Sequence, residues 1–185
     1  NGTYDSNGEE SWISKVESFL DKTPESPLRQ HAVQSFLLAQ GKPDEALAGL
    51  QNYLEATPDV TGMLPNALLW STLLYEDSVE VLRHRTELVE EMIGKGAASQ
   101  HTLACAYAVL GRIQDAADIN RGILARAYNR QDGSIDLLRG LVALNLGLDG
   151  VAKDCLDAVV QKNPRSEGSS IARKYRTEIK DRPLQ

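Results

Sequence analysis

Apolar side chains recur along this chain at intervals of three and four residues, in stretches of about 12 to 17 residues, the spacing that lines one face of an α-helix. Trp12, Val16, Phe19 and Leu20 form one such stripe, Val33, Leu37 and Leu38 a second, and Leu47, Leu50 and Leu54 a third. Sustained period-two alternation bounded by hairpin dipeptides is missing, so strands are not expected. Pro and Gly fall between the helical stretches, at Pro24, Pro27, Gly41, Pro58, Gly62, Pro65, Gly111, Gly133, Gly147 and Pro164. Gly49, Gly122 and Gly140 lie inside helical stretches instead. Glycine there costs about 1 kcal/mol relative to alanine, and the expected reason for it is the close approach of a second helix.

The stretches come in pairs with a common phase. Around Gly41 the order is Val33, Gln34, Leu37, Gly41, Glu45, Ala46, Leu50, Tyr53, Pro58; around Gly147 it is Gly140, Ala143, Gly147, Val151, Ala152, Leu156, Val159, Pro164. In both, Ala follows Gly by five residues and Pro follows it by seventeen. Gly111 repeats the frame with Leu103, Ala104, Tyr107, Asp115, Ala116 and Ile123, and has Tyr128 where the proline would fall. Gly111 lies 36 residues before Gly147 and 70 after Gly41, as two units of about 35 with an unmarked turn near Glu76. Each position has a physical reason. Glycine takes the left-handed conformation of a short turn, a small Ala lets two helices cross closely, and Pro ends the second helix of the pair.

This phased set resembles the tetratricopeptide repeat (TPR) superfamily over about 140 of the 185 residues. The resemblance implies an all-α fold: a right-handed superhelical array of about four antiparallel helix-turn-helix repeats, over 27–60, 61–96, 97–130 and 131–166. The second is diverged, matching in length and helicity only, with Trp70 and a long second helix from 77 to 93; the third lacks the closing Pro. Flanking segments remain at 1–26, a polar start and a helix over 9–21, and at 167–185, with a helix over 169–180 that puts Ile171, Ala172, Tyr175 and Ile179 on one face. End repeats of a stack expose an apolar face, so both helices are expected as caps. The alternative is that Trp12, Val16 and Phe19 occlude the groove of this copy or another. Residues 1–27 carry six acids and two bases and 162–182 seven bases and three acids, a division that a head-to-tail contact could use.

Composition narrows the function. The net charge of −6 argues against a nucleic-acid binder, which needs Lys and Arg to neutralise phosphates, and no apolar run approaches the roughly 20 residues of a membrane span. The polar start lacks the features of a signal peptide; the compartment stays open, with the cytoplasm favoured. Asn1-Gly2-Thr3 matches a glycosylation pattern, but a short motif in a terminus has little weight. Among the three histidines, His31 and His101 share a repeat phase two repeats apart, too far for a common metal or proton relay, and His84 sits on a charged helix face. Cys105 and Cys155 read as small buried hydrophobes. No phosphate-cradling loop, nucleophile elbow or metal spacing stands out, so no cofactor, no metal and no catalysis are expected.

The expected function therefore lies on the face that stacking creates. The first helix of each pair lines the concave side in this superfamily, which implies groove candidates Leu28, His31, Ser35 and Leu38 from the first pair and Met63, Asn66, Trp70 and Leu73 from the second. His101, Cys105 and Val109 come from the third, and Leu137, Leu138, Leu141 and Leu144 from the fourth, some of them doubling as core. Relatives that grip acidic chaperone carboxyl termini carry Lys, Arg and Asn at these phases. Here they read His31, Ser35, Ala98, Thr102, Leu137, Leu138 and Leu141, so that function is rejected. The set is apolar. The resemblance thus implies a noncatalytic adaptor, scaffold or chaperone-like module that holds a hydrophobic peptide or amphipathic helix of a protein partner. The alternatives are a self-associating subunit whose groove is filled by a terminal helix, and a recognition or regulatory fragment of a larger enzyme, suggested by the abrupt start at Asn1.

Overall fold

The computed structural model describes residues 6–57, 62–93, 96–126 and 133–181, with side chains described over 13–57, 62–93, 96–122 and 133–179. Among the described residues the regular structure is all helical, ten α-helices with no strand, and the chain divides into two compact units, Asn1–Thr57 and Pro58–Gln185. Trp12, Ile123 and Tyr128 have side chains outside the described set.

The first unit holds α1 (Ser6–Lys22), α2 (Pro27–Ala39) and α3 (Pro43–Ala56). Ser26 caps α2 by accepting a hydrogen bond from the Arg29 amide at 3.2 Å, and Pro27 follows where its missing N–H is harmless. α3 packs on α2 and buries Ala46, Leu47, Leu50 and Leu54, the expected stripe. Two other stripes are corrected. In α2 the buried residues are Gln34 and Phe36, with Val33, Leu37 and Leu38 half-buried; in α1 Leu20 is buried and Val16 half-buried, while Phe19 points away, 68% exposed. A single helix face is too wide for spacing alone to pick which edge meets the neighbour.

The second unit runs through α4 (Met63–Tyr75), α5 (Val79–Val89), α6 (Ala97–Val109), α7 (Ile113–Arg126), α8 (Ser134–Asn145), α9 (Asp149–Lys162) and α10 (Glu167–Asp181). The helix expected over 77–93 stops at Val89, with a turn before buried Ile93. Consecutive helices pair, α4 with α5, α6 with α7, α8 with α9, and α10 packs on α9. In addition α4 meets α6, α6 meets α8, α8 meets α10 and α10 returns to α4. α4, α6 and α8 are the interior ones. Every residue from His101 to Ala108 of α6 is buried, and α4 and α8 bury seven and six residues. A helix that is apolar nearly all round has to be surrounded.

Three turns share one geometry. Lys42, Arg112 and Leu148 each donate their amide to the carbonyl five residues back, Leu37, Tyr107 and Ala143, at 2.8–3.0 Å, across Gly41, Gly111 and Gly147 with φ of +72 to +75°. This is the helix-ending motif for which glycine is needed. Ala46, Ala116 and Ala152, five residues on, are 0–2% exposed as expected.

The helix glycines separate into two kinds. A Cβ on Gly140 would stand 2.7 Å from Leu156 Cδ2 and 2.8 Å from its Cγ, so α8 and α9 approach closely there. A Cβ on Gly49 or Gly122 would meet nothing within 4 Å, so for these two the expected close approach is absent. Replacing Gly140 with Ala should therefore destabilise the chain by about 1 kcal/mol or more, because overpacking outweighs the gain in helix propensity, whereas Gly49→Ala should stabilise it by about 0.5–1 kcal/mol; thermal melts of the two variants check the opposite signs.

α5, α6 and α7 are tied at one corner. Tyr107 donates its hydroxyl to Glu90 Oε2 at 2.9 Å, Arg112 reaches the same oxygen at 2.9 Å and lies 3.9 Å over the Tyr107 ring, and its Nε pairs with Asp115 at 2.7 Å. Burial, then the hydrogen bond to Glu90 and its charge, push the Tyr107 pKa up to about 12. The unfolded chain gives up this proton first, so the stability it contributes is whole below the ordinary tyrosine value of 10.0 and is lost as pH rises through about 12. Stability measured by urea unfolding from pH 9 upward should fall more steeply for the native chain than for Tyr107→Phe.

Candidate functional site

The even-numbered helices of the second unit run in the same direction, because residues near the starts of all four share one cavity and residues near their ends share another. The first cavity, of about 380 Å³, is lined by Asn66 and Trp70 of α4, His101 of α6, Ser134 of α8 and Glu167 of α10. The second, of about 520 Å³, is lined by Glu76 after α4, Val109 of α6, Asn145 of α8 and Lys174 of α10. Parallel helices gather like ends of their dipoles, partially positive at the starts and negative at the ends. α10 carries an acid at its start and a lysine two turns later.

Each charge has a partner on α4. The Trp70 indole N–H donates to Glu167 Oε2 at 2.7 Å, across 97 residues of sequence. At the other end the Lys174 ammonium donates to the carbonyls of Leu73, at 3.2 Å, and of Glu76, and lies 3.1 Å from Asp77 Oδ1. Leu73 is in the last turn of α4, where carbonyls lack helical partners, so the lysine caps that helix from outside. Between these contacts α10 buries Ile171 and Ala172, and beyond Lys174 it buries Tyr175 and leaves Ile179 half-buried. Ser166 caps α10 by accepting from the Ser169 amide at 3.1 Å, and buried Ser169 donates to the Asn163 carbonyl at 2.6 Å, which fixes the turn from α9.

Along the first cavity, the His101 ring lies 6.1 Å from Trp70 at a 50° tilt. His101 Nε2 is 2.6 Å from the Ser134 carbonyl; a carbonyl only accepts, so this nitrogen carries the proton. Cys105 Sγ lies 3.6 Å from the same nitrogen. The thiol is fully buried and desolvation pushes its pKa far above the ordinary value, so it stays protonated and is not a poised nucleophile. Asn66 Oδ1 is buried without a hydrogen-bond partner among the described residues. No group of three His, Cys, Asp or Glu stands close enough to hold a metal ion among the described residues, and no described helix is long and apolar enough to cross a membrane.

Among the sequence-derived groove candidates, Asn66, Trp70, His101 and Leu137 come together at the first cavity and Val109 at the second. Leu73, Cys105, Leu138, Leu141 and Leu144 are buried within the second unit, at 0–4% exposure, and do not form an open surface. Met63 is 46% exposed. Leu28, His31, Ser35 and Leu38 belong to the first unit, where Leu28 is 72% exposed, Ser35 exposed and the other two half-buried. Trp70 is half-buried with its N–H engaged, which is neither an open anchor nor a sealed core residue. Glu167 and Lys174 were missed. Their signal is an acid before, and a lysine within, the helical segment that carries the apolar stripe Ile171, Ala172 and Tyr175.

If Lys174 holds α10 to the end of α4, Lys174→Met, which keeps the stem and removes the charge, should cost about 1–2 kcal/mol and speed amide exchange in α10 above that in α9; hydrogen exchange read by mass spectrometry checks this. Comparison of the chain with protein-family models, with curated proteins and with solved structures finds no match.

Proposed function

We propose that the chain is a noncatalytic protein-interaction module of the TPR-like helical-repeat kind, in which the first helices of successive pairs hold an amphipathic helix, and that α10 takes this position in the free chain. One observation carries the reading: α10 is anchored to α4, a helix about 100 residues earlier, at its first residue, Glu167, and again two turns on at Lys174, and it buries Ile171 and Ala172 between the two contacts. A helix that only capped the end of α9 would have no need of α4. The chemistry of α10 then describes the partner: a helix with a small-apolar stripe, an acid where the interior helices begin and a cation where they end. Shortage of charge along α4, α6 and α8 supports the same reading, as does a buried thiol held protonated and a histidine committed to a backbone carbonyl. Of the two ways in which a terminal helix could fill the groove, these contacts support an occupant from the same chain rather than from another copy.

The test uses a fluorescein-labelled peptide of residues 167–181 added to the full chain. The native protein should bind it weakly, since the tethered helix competes at high effective concentration, and Lys174→Glu, which sets a carboxylate against the α4 carbonyls and Asp77, should bind it at least about tenfold more tightly. A peptide with Ile171 and Tyr175 replaced by Asp should not bind. Anisotropy that stays flat for both proteins would overturn the reading.

A further inference from the structure

A third cavity, of about 330 Å³, lies between α7, α8 and α9 and shares no lining residue with the two above. α7 packs on α6 but not closely on α8 or α9 among the described residues, and Ala116, Ala117 and Ala143 are too short to close the gap. The cleft is graded along its length. α6 and α8 run in one direction, and the turns at Gly111 and Gly147 send α7 and α9 back together against them. One end is therefore formed by Ile113, Leu146, Leu148 and Val151, and the other by Asn120, Arg139 and Cys155. Ile113 and Asn120 are seven residues apart, as are Leu148 and Cys155, which in a helix is about 10 Å. At the polar end neither the Asn120 amide nor the Arg139 guanidinium has a hydrogen bond or ion pair among the described residues. Asp136, one turn before Arg139, is held by Lys162 at 2.5 Å instead. An apolar trough closed at one end by an uncompensated cation and an amide donor matches a narrow apolar chain with an anionic head. It suits the broad apolar face of a protein less well, because α7 and α9 become charged beside it, with Arg121 on Asp118 and Lys153 on Asp157.

We propose that this cleft binds a free medium-chain fatty acid, its carboxylate on Arg139 and the Asn120 amide and its chain laid between α7 and α9 toward Ile113 and Leu148. An extended chain advances about 1.2 Å per bond, so about eight carbons span the cleft. The guanidinium fork takes the carboxylate while the arginine stem lies along the apolar wall. A bound chain fills the gap between two helix pairs that otherwise meet through α6 and α8, and so holds the pairs at one angle. The site stands apart from the helix-binding reading, since α10 contributes nothing to its lining.

Cys155 provides the readout. It lines the cleft and is half-buried, whereas Cys105, the second cysteine of the chain, is fully buried. The rate at which iodoacetamide alkylates Cys155 in the full chain is followed by peptide mass spectrometry during titration with octanoate, with octan-1-ol, which keeps the chain and loses the charge, and with butanoate, which does the reverse. Saturable protection with a dissociation constant of about 1 mM is expected for octanoate, about tenfold weaker protection for octan-1-ol and none for butanoate. Arg139→Gln, at an exposed residue, should weaken octanoate about tenfold and leave octan-1-ol unchanged. Ala117→Phe, also at an exposed residue, fills the cleft and should abolish octanoate binding by calorimetry with the melting temperature held. Absence of saturation with octanoate, equal constants for octanoate and octan-1-ol, protection by butanoate, or octanoate binding unchanged in either variant would each overturn the proposal. Light scattering that shows a dimer abolished by Leu148→Glu would overturn it too, by assigning the cleft to a second copy. None of these results touches the exchange of the 167–181 peptide, so the two readings fail separately.

Discussion

The shared direction of α4, α6, α8 and α10 is the constraint that organises the second unit. Four helices whose starts meet at one end bring four partially positive termini together, and the ends of α4, α6 and α8 gather at the second cavity. Each terminus is worth only about 0.3–1 kcal/mol of charge interaction, but they act at the same two places. α10 answers at both: Glu167 sits among the starts and Lys174 among the ends. Reversing the order of those two residues would put like signs together at each end.

Hydrophobic burial brings the helices together, and the small residues determine how far. Gly140 lets α8 lie against Leu156 of α9 at a distance that no Cβ would permit, and Ala116 and Ala152 are fully buried in α7 and α9. Gly111 and Gly147 reverse the chain with one hydrogen-bond pattern, as Gly41 does in the first unit. Outer helices α5, α7 and α9 then meet solvent on one side, where their charges pair locally, as Arg121 does with Asp118 and Lys153 with Asp157. Such exposed pairs contribute little. The tie that matters at the outer edge is the partly shielded group of Glu90, Tyr107 and Arg112, because it joins three helices.

What the sequence makes legible is local. Phased Gly, Ala and Pro positions mark the turns and crossings, since each acts within a few residues of where it stands, and the buried Ala46, Ala116 and Ala152 follow from that phase. The choice between Gly140, which is crowded, and Gly49 or Gly122, which are open, is not local: it depends on which face a neighbour covers. The same holds for Leu28 and Phe19, apolar at helical spacing yet exposed. Half of the candidate site escaped for a stronger reason. The partners Trp70 and Glu167 are 97 residues apart, and Lys174 is 101 from Leu73; contact between them depends on the angle of every helix crossing in between. No pattern along the chain encodes that sum.

A helix that packs by its own apolar stripe and is fastened by polar contacts at its start and its middle divides two jobs that burial alone would merge. Ile171 and Ala172 are fully buried, so the stripe supplies most of the attraction and little of the address, because many amphipathic helices carry such residues. Trp70–Glu167 and Lys174–Leu73 supply the address: they fix direction and register, since a helix shifted by one turn, about 5.4 Å, misses both partners. Of these two contacts Glu167 is open to solvent and Lys174 is half-buried. Glu167 is therefore an anchor that another molecule can reach from solvent, so the seat of the helix is open to influence without entry into the apolar interior.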